Sequence, residues 1–275
     1  MKISKLIRDH KRRFLLMLAL VLIDAGLLVL FPLFIGFAID DALVKTYEGA
    51  VYLGLLGLAT LLIGAFRRFY DSRFYAKIYE KLGAQIGDRE DISPTTKSAH
   101  LRLLNEVVEF LENSLPQLVN SSLGLIGTLI IIGTLNLKIL AGCMVILLIV
   151  LLVYGLSVKK TIRLNAGYND ELECQVDMIS EHQPILLRNH LRKLMKWNIR
   201  LSDLETVNFS VVWLFMMAFL VLSIIMAINE GMASYGAVFA LVLYLFQFIE
   251  TAIVMPLFYQ QWLRLKEITG RLTDI

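Results

Sequence analysis

Cysteine and histidine are scarce in this chain, and a phosphate-binding glycine loop is missing. There are two cysteines. Cys143 falls in an apolar run and Cys174 in a polar loop, which argues against a structural disulfide. Of the four histidines, His100, His182 and His190 stand at spacings that match no metal motif, so no metal site is expected. No Gly-Lys dipeptide occurs anywhere, so no Walker A loop is present to cradle phosphate. No nucleophile–base arrangement can be read, and there is no nucleic-acid signature. The expectation is a non-enzymatic protein with no cofactor of its own.

Basic residues are also missing from alternate stretches of the chain, and that gap is informative. Six apolar runs cross the sequence, at about 14–39, 50–66, 115–135, 139–157, 209–229 and 236–259. A bilayer core about 30 Å thick needs around 20 mostly apolar residues of helix, so each run can span it. Backbone amides in lipid must be satisfied within their own segment, so the runs are read as helices. Of the 27 basic residues, all but Lys45 and Lys138 lie before the first run, after the second, fourth and sixth, or within the segments these bound. The positive-inside rule then predicts a multi-pass protein of the plasma (inner) membrane with both termini cytoplasmic. Hydrophobic residues make up 57% of a chain that is still 19% charged, so charge is segregated rather than interspersed. The basic N-terminus resembles a signal peptide, but its apolar run is too long and lacks a small-residue cleavage site, so it is read as a retained span. Tyr47, Tyr52, Trp213, Tyr235 and Trp262 near span ends are most simply interfacial anchors.

The loops on the basic side, 67–114 and 158–208, are long. The first begins as a helical continuation, with Phe69, Phe74, Tyr75, Ile78 and Leu82 alternating with charges. Each loop carries a central proline, Pro94 and Pro184, which breaks a helix. Each is therefore expected to be a helical hairpin with a sharp tip. The fold class expected is all-α: one polytopic domain over 1–275, six transmembrane helices and two long cytoplasmic helical hairpins.

This arrangement resembles the transmembrane domain of ABC exporters. Locally, Phe31-Pro32-Leu33-Phe34-Ile35-Gly36-Phe37-Ala38-Ile39-Asp40-Asp41-Ala42-Leu43 resembles the end of their first span and the start of the outer loop. The run from Leu103 to Pro116, with Glu109-Phe110-Leu111-Glu112, resembles the approach to the third span. Arg163-Leu164-Asn165 to Glu173 resembles the second hairpin's descending helix. The resemblance implies a fold and a homodimer of twelve spans. It departs in two respects, the lack of a fused ATPase module and of the family signature sequence, so ATP is expected only through a partner ATPase.

Two ionisable residues lie within the apolar runs, Asp24 and Glu250. Such residues usually face protein or water and mark ion or substrate pathways. Counted from Phe14 and Tyr259, both lie roughly 15 Å from the cytoplasmic boundary, so they share a level. Tyr244, Gln247, Glu250 and Thr251 fall at three- and four-residue spacings on one helix face, a polar stripe. These five residues are the candidate substrate or proton pathway; the alternative for Asp24 and Glu250 is a structural role. Asn120, Ser121 and Ser122 read as interhelical hydrogen-bonders. At the hairpin tips, Asp91, Pro94, Glu181, His182, Pro184 and Arg188 are candidate docking residues for a separate ATP-binding subunit.

Three functions stay open. One is a transporter of a small molecule or peptide, working by alternating access without its own ATPase and driven by protons at the embedded carboxylates. Another is the membrane subunit of an ABC transporter powered by a separate chain. The third is a non-transporting sensor or assembly protein that reuses the fold.

Overall fold

The computed structural model describes residues 11–90, 93–180, 183–231 and 234–273, with side chains throughout except at 12, 176–177 and 255–273. Among the described residues there are helices and turns and no strand. In chain order the helices are α1 (Lys11–Leu43), α2 (Glu48–Gly87), α3 (Pro94–Glu109), a π-helical turn (Phe110–Ser114), α4 (Leu115–Leu135), α5 (Leu137–Glu173), α6 (Gln175–Ser180), α7 (Pro184–Asn229) and α8 (Tyr235–Thr273). Six stretches of helix are long and apolar enough to cross a membrane, which is the all-α six-span architecture expected. Asp91, Glu181 and His182 lie outside the described residues.

Local chemistry sets the helix ends. α1 closes on Lys45, whose φ of 60° is left-handed, with Val44 and Thr46 N–H both donating to the Asp41 carbonyl. α7 is closed by Gly231, two residues past its end, with φ 79°, where glycine turns the chain without a Cβ penalty. At the far end from the basic loops, two adjacent carboxylates cap two helices. Asp41 Oδ2 accepts from Gly49 N–H at 2.7 Å at the start of α2. Asp40 Oδ1 accepts from Gly236 N–H at 2.8 Å at the start of α8. Both place negative charge at a helix N-terminus, where unpaired N–H groups and the macrodipole favour it. The Asp-Asp pair that ends the first span thus ties α1 to both neighbours.

The chain forms two compact units, residues 1–137 with 224–275, and residues 138–223. In the first, α1 packs on α2, α4 and α8. Toward the basic side, Met17 at the start of the first apolar run joins Phe74, Tyr75, Ile78, Leu82, Leu104, Val107, Val108, Phe110 and Leu111 in a buried cluster. Each large apolar side chain moved out of water there stabilises by about 1.5–3 kcal/mol. Within lipid that driving force is absent, and packing and hydrogen bonds hold helices together instead. Gly36 and Gly236 meet at such a contact: a Cβ on Gly236 would lie 2.0 Å from the Gly36 carbonyl oxygen.

In the second unit α5 and α7 are joined at the tip by α6. The Phe219 ring lies on Gly142 and the Trp197 ring on Gly167. Ser157 Oγ donates to Asn208 Oδ1 at 2.7 Å. Nearer the tip, buried His190 meets Glu171 through Nδ1 at 2.9 Å. Among the described residues near the tip, two large apolar side chains are open, Ile179 at 54% and Ile185 at 76% exposed.

Candidate functional site

Asp24 is buried, and its Oδ2 lies 3.3 Å from Arg67 Nη2 of α2. Gly64, one turn before Arg67, leaves room for it: a Cβ there would stand 3.8 Å from Asp24 Oδ1. The carboxylate is therefore neutralised inside the unit by a residue that reads, in sequence, as a topology charge.

Contacts between helices set the register of the first unit. About 24 Å of helix separates Asp24 from Asp40, and about 25 Å separates Arg67 from Ala50. The antiparallel pair thus meets near the end of α2's apolar run, closer to the basic rim than counting from Phe14 suggests. Met17, further along, receives a hydrogen bond from Tyr75 Oη at 2.9 Å, so the first residues of the 14–39 run pack beside the extension of α2. On the other flank Tyr244 Oη donates to the Val29 carbonyl at 2.8 Å, and Gly236 meets Gly36 and Asp40. Continued along these antiparallel helices, that register sets Glu250 level with Asp24. α4 agrees: Gly127 lies against Val29 and Gly124 against Gln247, so Ser121 and Ser122 fall at the level of Asp24 and Glu250. Four helices thus contribute to one polar layer: Asp24, Arg67, Asn120 to Ser122, and Gln247 to Thr251.

Members of the expected stripe differ in what they offer. Tyr244 is fully buried and spends its hydroxyl on α1. Thr251 Oγ1 donates back to the Gln247 carbonyl at 2.8 Å. Gln247 Oε1 is buried without a hydrogen-bond partner, as is Asn120 Oδ1. Glu250 is exposed on the surface of the unit. The open chemistry of the layer is therefore the Glu250 carboxylate and two amide oxygens.

Two further charged groups, which composition and spacing did not single out, extend the layer toward the basic side. Asp71, one turn after Arg67 on α2, is buried. Glu112, in the π-helical turn, accepts from Ser72 Oγ at 3.1 Å. The sequence signal was present: an acidic residue four after an arginine shares its helix face, inside a segment otherwise basic and aromatic. At the hairpin tips, Pro94, Pro184 and Arg188 are exposed. Ser93 caps α3, its Oγ accepting from Thr96 N–H at 3.2 Å, and Lys97 Nζ donates to the Gly87 carbonyl at 2.6 Å. Among the described residues, no group of His, Cys, Asp and Glu side chains is arranged to hold a metal ion.

A family model for the ABC transporter transmembrane region matches residues 3–255. No curated protein matches the chain. The match covers most of the 275 residues, and the chain belongs to that family: it is an integral, multi-pass membrane protein of transport type.

Proposed function

We propose that this ABC-type transmembrane region moves a small molecule or peptide by alternating access, as a homodimer, with protons supplying the drive. In this reading the basic side faces the cytoplasm across the inner membrane, both termini lie there, and the chain performs no catalysis itself. The observation that carries it is Glu250, an exposed carboxylate level with a neutralised Asp24–Arg67 pair. Intramembrane carboxylates face protein or water rather than lipid, so the open face of α8 is read as the wall of a wet cavity closed by a second copy. Asp24, held by Arg67, positions the layer, and Glu250 is left to take and release a proton. Gln247 Oε1 and Asn120 Oδ1 are acceptors without partners, suited with Glu250 to a cationic cargo. A sensor or assembly protein would have no need of such a layer.

The test uses proteoliposomes with an imposed pH gradient and a panel of fluorescent organic cations as probes. Glu250→Gln is expected to abolish gradient-driven accumulation while the dimer elutes unchanged. Accumulation equal to wild type would contradict the reading.

One observation favours a second reading, a separate ATPase docked at the hairpin tips. Ile179 and Ile185 are exposed, beside exposed Pro184 and Arg188, at the end of the hairpin farthest from the spans. There, Arg188→Glu is expected to weaken co-purification of an ATP-binding subunit, and unaltered recovery would count against it.

A further inference from the structure

Asp71 and Arg67 lie one turn apart on the same face of α2, just past that helix's apolar run. Asp71 is 5% exposed, and its Oδ1 has no hydrogen-bond partner. Arg67 places Nη2 on Asp24, while its Nε is buried without an acceptor. An acceptor without a donor therefore stands one turn from a donor without an acceptor, and unmet buried groups are costly. Two arrangements answer that cost differently: the first pairs both groups, and the second removes only the buried carboxylate charge. Ionised Asp71 can take the Arg67 Nε–H, or Asp71 can hold a proton and leave Arg67 to Asp24.

The surrounding groups bear on that choice. From α2 itself come Arg67 and Tyr75, and Tyr75 gives its hydroxyl to Met17 Sδ rather than to Asp71. From α1 comes Asp24, which competes for Arg67. From the π-helical turn comes Glu112, whose negative charge opposes ionisation of Asp71. Such turns recur at functional sites because they re-aim side chains within a helix.

We propose that Asp71 is a proton-binding site at the basic rim of the first unit, and that Arg67 is shared between Asp24 and Asp71 according to whether Asp71 holds the proton. The only bond made or broken is the carboxyl O–H, and the proton exchanges with the solution on the basic side. Burial pushes the Asp71 carboxyl up, the Arg67 charge draws it down and Glu112 pushes it up again, leaving it at about 6. The group is therefore protonated below that pH, with Arg67 on Asp24 alone, and ionised above it, with Arg67 shared. The site is distinct from Glu250 and stands whichever way transport is powered.

Infrared difference spectra of the full chain in lipid nanodiscs, recorded in D2O as the pH is lowered through about 6, test it without any cargo. The C=O stretch of a protonated carboxyl is expected to appear with that midpoint and to be missing in Asp71→Asn. Asp24→Asn frees Arg67 for Asp71 and is expected to lower the midpoint by about one unit or more. A band that survives Asp71→Asn unchanged would overturn the proposal, as would an unmoved midpoint in Asp24→Asn. Should Asp71→Asn fail to fold, the Asp24→Asn midpoint decides alone.

Discussion

In the first unit Gly36 and Gly236 meet backbone to backbone, whereas in the second Gly142 and Gly167 each receive an aromatic ring. A carbonyl oxygen in a helix cannot turn aside, but a ring can. The same contrast runs through the polar groups. The first unit buries a salt bridge and caps two helix starts with the Asp40–Asp41 pair. The second keeps its histidine–carboxylate contact out toward the hairpin tip, beyond its apolar spans. Rigid backbone contacts suit a unit that must hold charged groups at one level in lipid, and adjustable ring contacts suit one that has no such layer to hold.

The largest way to break this contrast is to strand the buried charge. Arg67→Met leaves Asp24 uncompensated and is expected to cost about 3–5 kcal/mol, read as loss of resistance to denaturant in detergent. Asp24→Asn combined with Arg67→Met removes both charges and is expected to recover most of that loss. A double variant as unstable as the single would mean that the arginine matters for packing rather than charge.

Next in size is the glycine comparison. Gly236→Ala drives a Cβ into the Gly36 carbonyl and is expected to cost about 1–3 kcal/mol. Gly142→Ala meets the Phe219 ring first, and the helix gains about 0.5–1 kcal/mol from replacing glycine by alanine, so its net effect is expected to lie near zero. Equal losses at both positions, measured by thermal unfolding in the same detergent, would erase the distinction between the two units.

Much of this was legible in the sequence for a physical reason. Spanning a membrane constrains length, hydropathy and charge over whole segments, so six apolar runs and the placement of 25 of the 27 basic residues outline the fold. Pro94 and Pro184 mark breaks because a proline disrupts helix whatever surrounds it. The shared level of Asp24 and Glu250 was legible too, because helical rise is uniform, although the layer lies closer to the basic rim than counting gave. What periodicity could not supply was pairing. Asp24 meets Arg67 only through the register of α1 on α2, and Tyr244 spends its hydroxyl on Val29 only through that of α8 on α1. A stripe of four polar residues on a helical wheel therefore looked uniform, while the packed unit leaves two of them open. The Asp40–Asp41 caps were invisible for a similar reason, since each carboxylate serves a helix other than its own.

Alternating access at Glu250 is tested most directly by thiol labelling from each side of sealed vesicles. Phe246→Cys, exposed one turn from Glu250 on the same face of α8, in a background with Cys143→Ala and Cys174→Ser, is treated with a membrane-impermeant maleimide applied outside or trapped inside. Leu61→Cys, on the exposed apolar face of α2, serves as the lipid-facing control. Labelling at position 246 from both sides, with none at position 61, is the result predicted. Labelling from the basic side alone, or none from either side, would contradict it.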